Sequence, residues 1–187
     1  DLKIANGKVL DFESTTSHVL TVEASDGENT DNATITVNVT NVNDNAPTIA
    51  NASTSIDEDK PAGTDVININ DSTTGNDTDA DGNVITYSIT AGNTDGIFSI
   101  VEAEGLIKIA TGKSLDYDTA SSHSLTILAT DGTNTDTATI QVNVGNTDVN
   151  APSIANDATP TISENADADT TIVDINDSNT GNDTDND

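Results

Sequence analysis

Acidic and amide side chains fall into four recurring groups in this sequence, and the chemistry open to such groups is ligation of a hard cation. The first group is Leu10-Asp11-Phe12-Glu13, with a copy at Leu115-Asp116-Tyr117-Asp118. The second runs Asn41-Val42-Asn43-Asp44-Asn45-Ala46-Pro47, copied from Asn146 to Pro152. The third is Asp77-Thr78-Asp79-Ala80-Asp81-Gly82-Asn83, with a shortened copy at Asp183-Thr184-Asp185-Asn186-Asp187. The fourth is Ala24-Ser25-Asp26-Gly27, copied at Ala129-Thr130-Asp131-Gly132. Calcium takes roughly 6–8 oxygen ligands from carboxylates, amides and backbone carbonyls. In Asp-x-Asp on extended chain the two side chains project the same way, so both reach one ion.

Other chemistries fit less well. Asp77, Asp79, Asp81 and Gly82 open like an EF-hand loop, but Ser88 stands where a bidentate glutamate belongs and the flanks read as strands. The carboxylates repeat along the chain, which suits structure better than acid–base catalysis, and no nucleophile–base arrangement or phosphate-cradling loop accompanies them. The stretch is read as non-enzymatic. A formal net charge of −28, with only five basic residues, argues against nucleic acid as a partner. The chain has no cysteine, so neither disulfides nor thiolate zinc sites hold it together. Asp157, Asp167 and Asp169 read as ordinary solvated acids. His18 and His123 occupy equivalent repeat positions and read as packing or strand-edge residues rather than catalytic ones.

The elements that must position these groups are repeated units. Residues 2–13 return at 107–118 and residues 26–39 at 131–144, an offset of 105, and residues 68–79 return at 174–185, an offset of 106. Repeats of this length are large enough for a core of their own. The division expected is the C-terminal part of one unit at 1–46, a complete unit at 47–151 and the N-terminal part of a third at 152–187. Strand signals are short and period-two, as in Ala33, Ile35, Val37 and Val39 against Thr34, Thr36, Asn38 and Thr40, with a copy from Ala138 to Gly145. In the complete unit seven such segments fall near 53–57, 64–70, 83–90, 97–101, 105–110, 123–130 and 136–144. Seven short strands separated by turn clusters predict an all-β antiparallel sandwich of two sheets. Tyr87, Tyr117, Phe12 and Phe98 supply its few aromatic core residues. Disorder is excluded as a reading of the charge, because disordered acidic chains lack this alternation.

Leu-Asp-x-Glu, then Ala-x-Asp-Gly, then Val-Asn-Asp-Asn-Ala-Pro, then Asp-Ala-Asp before Ile-Thr-Tyr-Ser-Ile resembles the cadherin repeat signature in that family's order. The Thr/Asn-rich flavour is similar to cadherin-like repeats of bacterial surface adhesins. The resemblance covers the whole chain and implies a seven-stranded Greek-key sandwich, Ig-like in architecture, repeated in tandem. It also implies Ca2+ held between consecutive units. At the first junction the implied donors are Asp11 and Glu13, then Asn43, Asp44 and Asn45, then Asp79, Asp81, Asn83 and Asp131. At the second they are Glu58, Asp116 and Asp118, then Asp148 and Asn150, then Asp185 and Asp187. Val149 replaces the carboxylate that Asp44 supplies in the first linker, and Asp118 is shorter than Glu13. The second junction is therefore expected to bind fewer ions, or bind them less tightly.

The function this resemblance implies is Ca2+-dependent stiffening of an extracellular array that serves cell adhesion. Its partners are the neighbouring repeats, and through other domains like molecules or surface ligands. The expected location is the cell surface, in the bacterial reading the outer face of a Gram-negative cell carrying an RTX-type, membrane-anchored adhesin. No apolar run is long enough for a membrane helix, so this segment does not itself insert. A carbohydrate-associated module of a secreted enzyme is the competing reading, but the aromatic platforms it needs are nearly lacking: the chain has two Phe, two Tyr and no Trp.

Overall fold

The structure is a computed structural model that describes residues 1–72, 74, 76–147 and 160–172. The described residues form two bodies of β-structure. The first is a hairpin of β1 (Ser17–Ser25) and β2 (Thr30–Asn38), antiparallel from Ser17↔Asn38 to Ser25↔Thr30. The second is a sandwich of β3 (Ala52–Asp57), β4 (Asp65–Asn68), β5 (Thr86–Ala91), β6 (Phe98–Val101), β7 (Leu106–Ile109), β8 (Ser122–Thr130) and β9 (Thr135–Gly145). One of its sheets has the order β3-β9-β8-β5 and the other β4-β7-β6. All seven strand segments expected for this unit are present, and two sheets face each other over one core.

Alternation makes that core. Leu125, Ile127 and Ala129 on β8 are each 0% exposed, and Ile140 and Val142 on β9 likewise. Ile107, Ile109 and Phe98 close over them from the second sheet. Of the expected aromatic core residues, Tyr87 and Phe98 are buried, Tyr117 packs half-buried against the cluster, and Phe12 is only partly covered and lies outside it. Before β6 the Asn93 side chain clamps the turn, donating to the Phe98 carbonyl at 2.7 Å and accepting its amide at 3.0 Å. Beside it Gly92 has φ +82°, and a Cβ there would meet the Ser124 carbonyl oxygen at 1.8 Å, so only glycine fits.

One pairing departs from the antiparallel sandwich expected. β3 runs parallel to β9, from Ala52↔Ile140 to Asp57↔Gly145. Period-two alternation fixes which face is buried but carries no strand direction, so the pairing was not readable from it. Its consequence is that the chain reaches the sandwich at one pole and leaves at the other. At the upstream pole Thr48 pairs with Thr78, and the Ile49 amide donates to Asp136 Oδ2 at 3.1 Å. At the downstream pole Gly145 abuts Asp57. Eleven residues of β9 separate the two, roughly 35 Å of strand. Units joined through such poles add end to end.

Candidate metal centre

The sandwich brings the second, third and fourth acidic groups together at its upstream pole, where the hairpin presents the first. Asp81 is the hub. Its Oδ2 accepts the amides of Asp44 at 3.1 Å and Asn45 at 2.8 Å, and its Oδ1 accepts the Asn45 side-chain amide at 3.1 Å. Glu13, Asp44 and Asp81 each place a carboxylate oxygen within 4.8 Å of the others. Asp11, Glu13, Asp44 and Asn45 line one open cleft of about 570 Å³.

Three carboxylates this close repel one another. The backbone amide of Glu13 pulls its carboxyl down, but desolvation and the charges of Asp81 and Asp44 prevail and raise it above the ordinary glutamate value. Burial opposes ionisation of Asp81, yet the hydrogen bonds from Asn45, Glu13 and Asp44 outweigh it and hold that carboxyl low.

The flanking residues are prepared in the same sense. Asp79 Oδ1 accepts the Asn83 amide at 3.0 Å, while Asp79 Oδ2 is buried without a hydrogen-bond partner among the described residues. An orphaned buried carboxylate oxygen is costly unless something pairs with it, and a cation would. Asp131 is only 8% exposed. Its Oδ1 accepts the amides of Thr133 at 2.7 Å and Asn134 at 2.6 Å, and although burial opposes ionisation, these bonds depress its carboxyl overall. Asp11 is held low by the Ser14 amide and hydroxyl, at 3.0 and 2.8 Å. The donor set is all oxygen and mostly anionic, which fits a hard divalent ion such as Ca2+. Of the donors expected at the first junction, Glu13, Asp44 and Asp81 converge, with Asn45 bonded to Asp81. Asn43 engages the Asp131 turn instead, and Asn83 is exposed with its amide on Asp79.

At the downstream pole Glu58 is half-buried and accepts two backbone amides, Tyr117 at 2.7 Å and Thr147 at 2.9 Å. It thereby sits against the turn that carries Asp116 and Asp118. Asp116 accepts the Thr119 hydroxyl at 2.7 Å and amide at 3.0 Å, which lower its carboxyl, and Asp118 is exposed. Asp148, Val149, Asn150, Asp185 and Asp187 lie outside the described residues.

Sequence reasoning placed Asn41 in the second group without giving it a role, and it missed Thr133 and Asn134. Asn134 donates its side-chain amide to Asn43 Oδ1 at 3.1 Å and to the Asn45 carbonyl at 2.9 Å, and Asn41 donates to the Asp81 carbonyl at 2.8 Å. The available signal was repetition: Asn29 and Asn134 follow Asp-Gly at the same place in both copies.

Comparison with known proteins agrees with this architecture. The cadherin domain matches residues 52–145. Human protocadherin Fat 1 is 37% identical over 152 residues, covering 76% of this chain and 3% of its own length. The protocadherin-like wing polarity protein stan of Drosophila melanogaster is 34% identical over 155 residues, covering 80% of this chain and 4% of its own. The chain thus spans a few per cent of these relatives. Among solved structures, extracellular cadherin domains 1–5 of protocadherin gamma B2 superpose with a TM-score of 0.65 at 28% identity, over 82% of this chain and 30% of that one. The mouse clustered protocadherin PcdhgC3, EC1–3, gives 0.61 at 27%, over 74% and 46%. These relatives are animal protocadherins, so the expected bacterial, RTX-type, Gram-negative adhesin finds no support in them. The family is one of adhesion proteins, not enzymes. With its domain match, its two-sheet topology and its acidic pole, the chain belongs to the cadherin family.

Proposed function

We propose that this chain is a Ca2+-bridged stretch of a longer extracellular cadherin array, in which ions at the junctions stiffen neighbouring repeats for cell-surface adhesion. The units are residues 1–46, 47–151 and 152–187, the outer two being parts of repeats. The observation that carries the reading is the meeting of Glu13, Asp44 and Asp81 within 4.8 Å, from one repeat, the linker and the next. At this junction Asp11, Glu13, Asn43, Asp44, Asn45, Asp79, Asp81, Asn83 and Asp131 would hold the ions. At the next, Glu58, Asp116, Asp118, Asp148, Asn150, Asp185 and Asp187 would do so, more weakly for lack of a carboxylate at Val149.

Bound Ca2+ supplies positive charge shared by oxygens of two repeats. The protein's own residues do the rest. Glu13 and Asp11 reach from the hairpin, and Asp44 stands on the linker. Asp81 and Asp79 are fixed on the sandwich. Without a cation, like charges face each other across the linker and drive the repeats apart. Extracellular modules of this kind bind Ca2+ at about 0.1–1 mM, so the array would be rigid in extracellular fluid. Other molecules of the same kind, or surface ligands met through other domains, are the partners proposed.

Thermal unfolding in excess chelator and across a calcium titration tests this. A melting temperature that climbs with calcium and hardly moves with magnesium supports structural bridging ions. A melting curve indifferent to calcium makes the acidic groups a solvated surface and sinks the reading.

A further inference from the structure

The linker between hairpin and sandwich is hydrogen-bonded almost wholly to the sandwich. Asn41 Nδ2, the amides of Asp44 and Asn45, and Asn45 Nδ2 all donate to Asp81, at 2.8–3.1 Å. Asn43 Nδ2 donates to Thr133 Oγ1 at 3.3 Å. Asn134 holds the other side, giving its side-chain amide to Asn43 Oδ1 at 3.1 Å and to the Asn45 carbonyl at 2.9 Å. Just beyond, Thr48 and Thr78 exchange backbone bonds at 2.8 and 3.2 Å. Toward the hairpin the last backbone tie is the Val39 amide to the Thr16 carbonyl at 2.9 Å. Thr40 lies between the two sets. Across it, the hairpin's Glu13 faces the carboxylates of Asp44 and Asp81, meeting Asp81 through a side-chain hydrogen bond and Asp44 as like charge.

We infer that the linker is docked on the downstream repeat before any ion binds, that Asn134 is the positioning residue that docks it, and that the ion-free chain bends at Thr40. Asn134 suits this role. Its own amide and carbonyl are spent within the Asp131 turn, the amide on Asp131 Oδ1 at 2.6 Å and the carbonyl on the Asp131 amide at 3.3 Å. The side-chain amide also donates to Asp131 Oδ2 at 3.3 Å, which aims it at the linker. Two linker oxygens receive it besides, one from a side chain and one from the backbone, so both linker asparagines are fixed in register with Asp81. The downstream half of the cation site is then preformed, and closing the junction requires only that Asp11 and Glu13 swing in about one residue. This deepens the calcium reading, on which it rests only for why the docking matters.

Amide hydrogen exchange of the whole chain in excess chelator tests it, without any ion. The amides of Asp44 and Asn45 should be protected while that of Thr40 exchanges near the free-chain rate. Asn134→Ala should cut protection at Asp44 and Asn45 by about tenfold, the worth of one or two net hydrogen bonds, with buried amides of β8 and β9 unchanged. Asn134→Asp, which faces two acceptors with a carboxylate, should do the same. Equal exchange at Thr40, Asp44 and Asn45 in the parent chain would overturn the docking. Unchanged linker protection in both variants, or a loss shared equally by β8 and β9, would show Asn134 to be no positioning residue. Since no calcium is present, failure of calcium binding would leave this outcome standing, and failure here would leave calcium binding untouched.

Discussion

Glu58 and Thr147 are tied across the downstream pole, the carboxylate Oε1 of one accepting the backbone amide of the other at 2.9 Å. The second oxygen of Glu58 accepts the Tyr117 amide at 2.7 Å. One side chain just past β3 thus fixes both the acidic turn and the segment leaving β9. Hydrogen bonds to a charged group contribute about 1.5–3 kcal/mol each, less where solvent competes. In chelator, Glu58→Ala should cost roughly 1–3 kcal/mol in urea unfolding, and Glu58→Gln, which keeps one acceptor, should cost less. Equal stability of all three proteins would remove Glu58 from this role.

Ile140 and Ile35 occupy the same place in two copies of one strand, yet Ile140 is 0% exposed and Ile35 39%. In the sandwich, β4, β6 and β7 cover the apolar face; the hairpin has no such cover among the described residues. Ile140→Ala should therefore cost about 2–5 kcal/mol, and Ile35→Ala no more than about 1 kcal/mol. Equilibrium unfolding of the two variants compares them directly, and similar losses would mean that the hairpin face is packed as well.

The strands were legible for this reason of alternation. Ala138, Ile140, Val142 and Val144 read as one apolar face in the sequence and are all buried. The direction of β3 was not legible, because alternation is the same read either way. The acidic groups were legible because they repeat and because Asp-x-Asp aims two carboxylates alike. Contacts such as Asn43 with Thr133, 90 residues apart, were not. They exist only because the β8–β9 turn is carried to the pole where the linker arrives, a consequence of the parallel β3–β9 pair.

Glu13 belongs to a crowded carboxylate set in which the charges of Asp81 and Asp44 help to raise its pKa. Removing its charge should relieve the junction without calcium and impair it with calcium. Glu13→Gln is expected to raise the melting temperature in chelator and to weaken calcium binding at least about tenfold, since even residues behind a metal's ligands cost that much. Titration calorimetry beside chelator melts reads both, and an unchanged affinity would place the ion elsewhere.

His123 stacks edge-on against Phe98, ring centroids 5.1 Å apart. Burial lowers its pKa below the ordinary 6.5, partly offset by the charge of Asp95. A base with a depressed folded pKa contributes stability that is present above its unfolded value and lost as pH falls through the folded one. Melting temperature should thus begin to fall below about pH 6.5. His123→Phe, which keeps the ring contact, should flatten the upper part of that fall. An identical pH profile in the variant would assign the loss to carboxylates alone.

The central claim is that calcium joins the hairpin to the sandwich. The chain has no cysteine, so one label can be placed at Ser25 on the hairpin and another at Ser99 on the sandwich without competition. Pulsed electron-spin distance measurement between them should give a broad distribution in chelator that collapses to one narrow peak when calcium is added. A distribution that stays equally broad, or equally narrow, in both conditions would contradict the account.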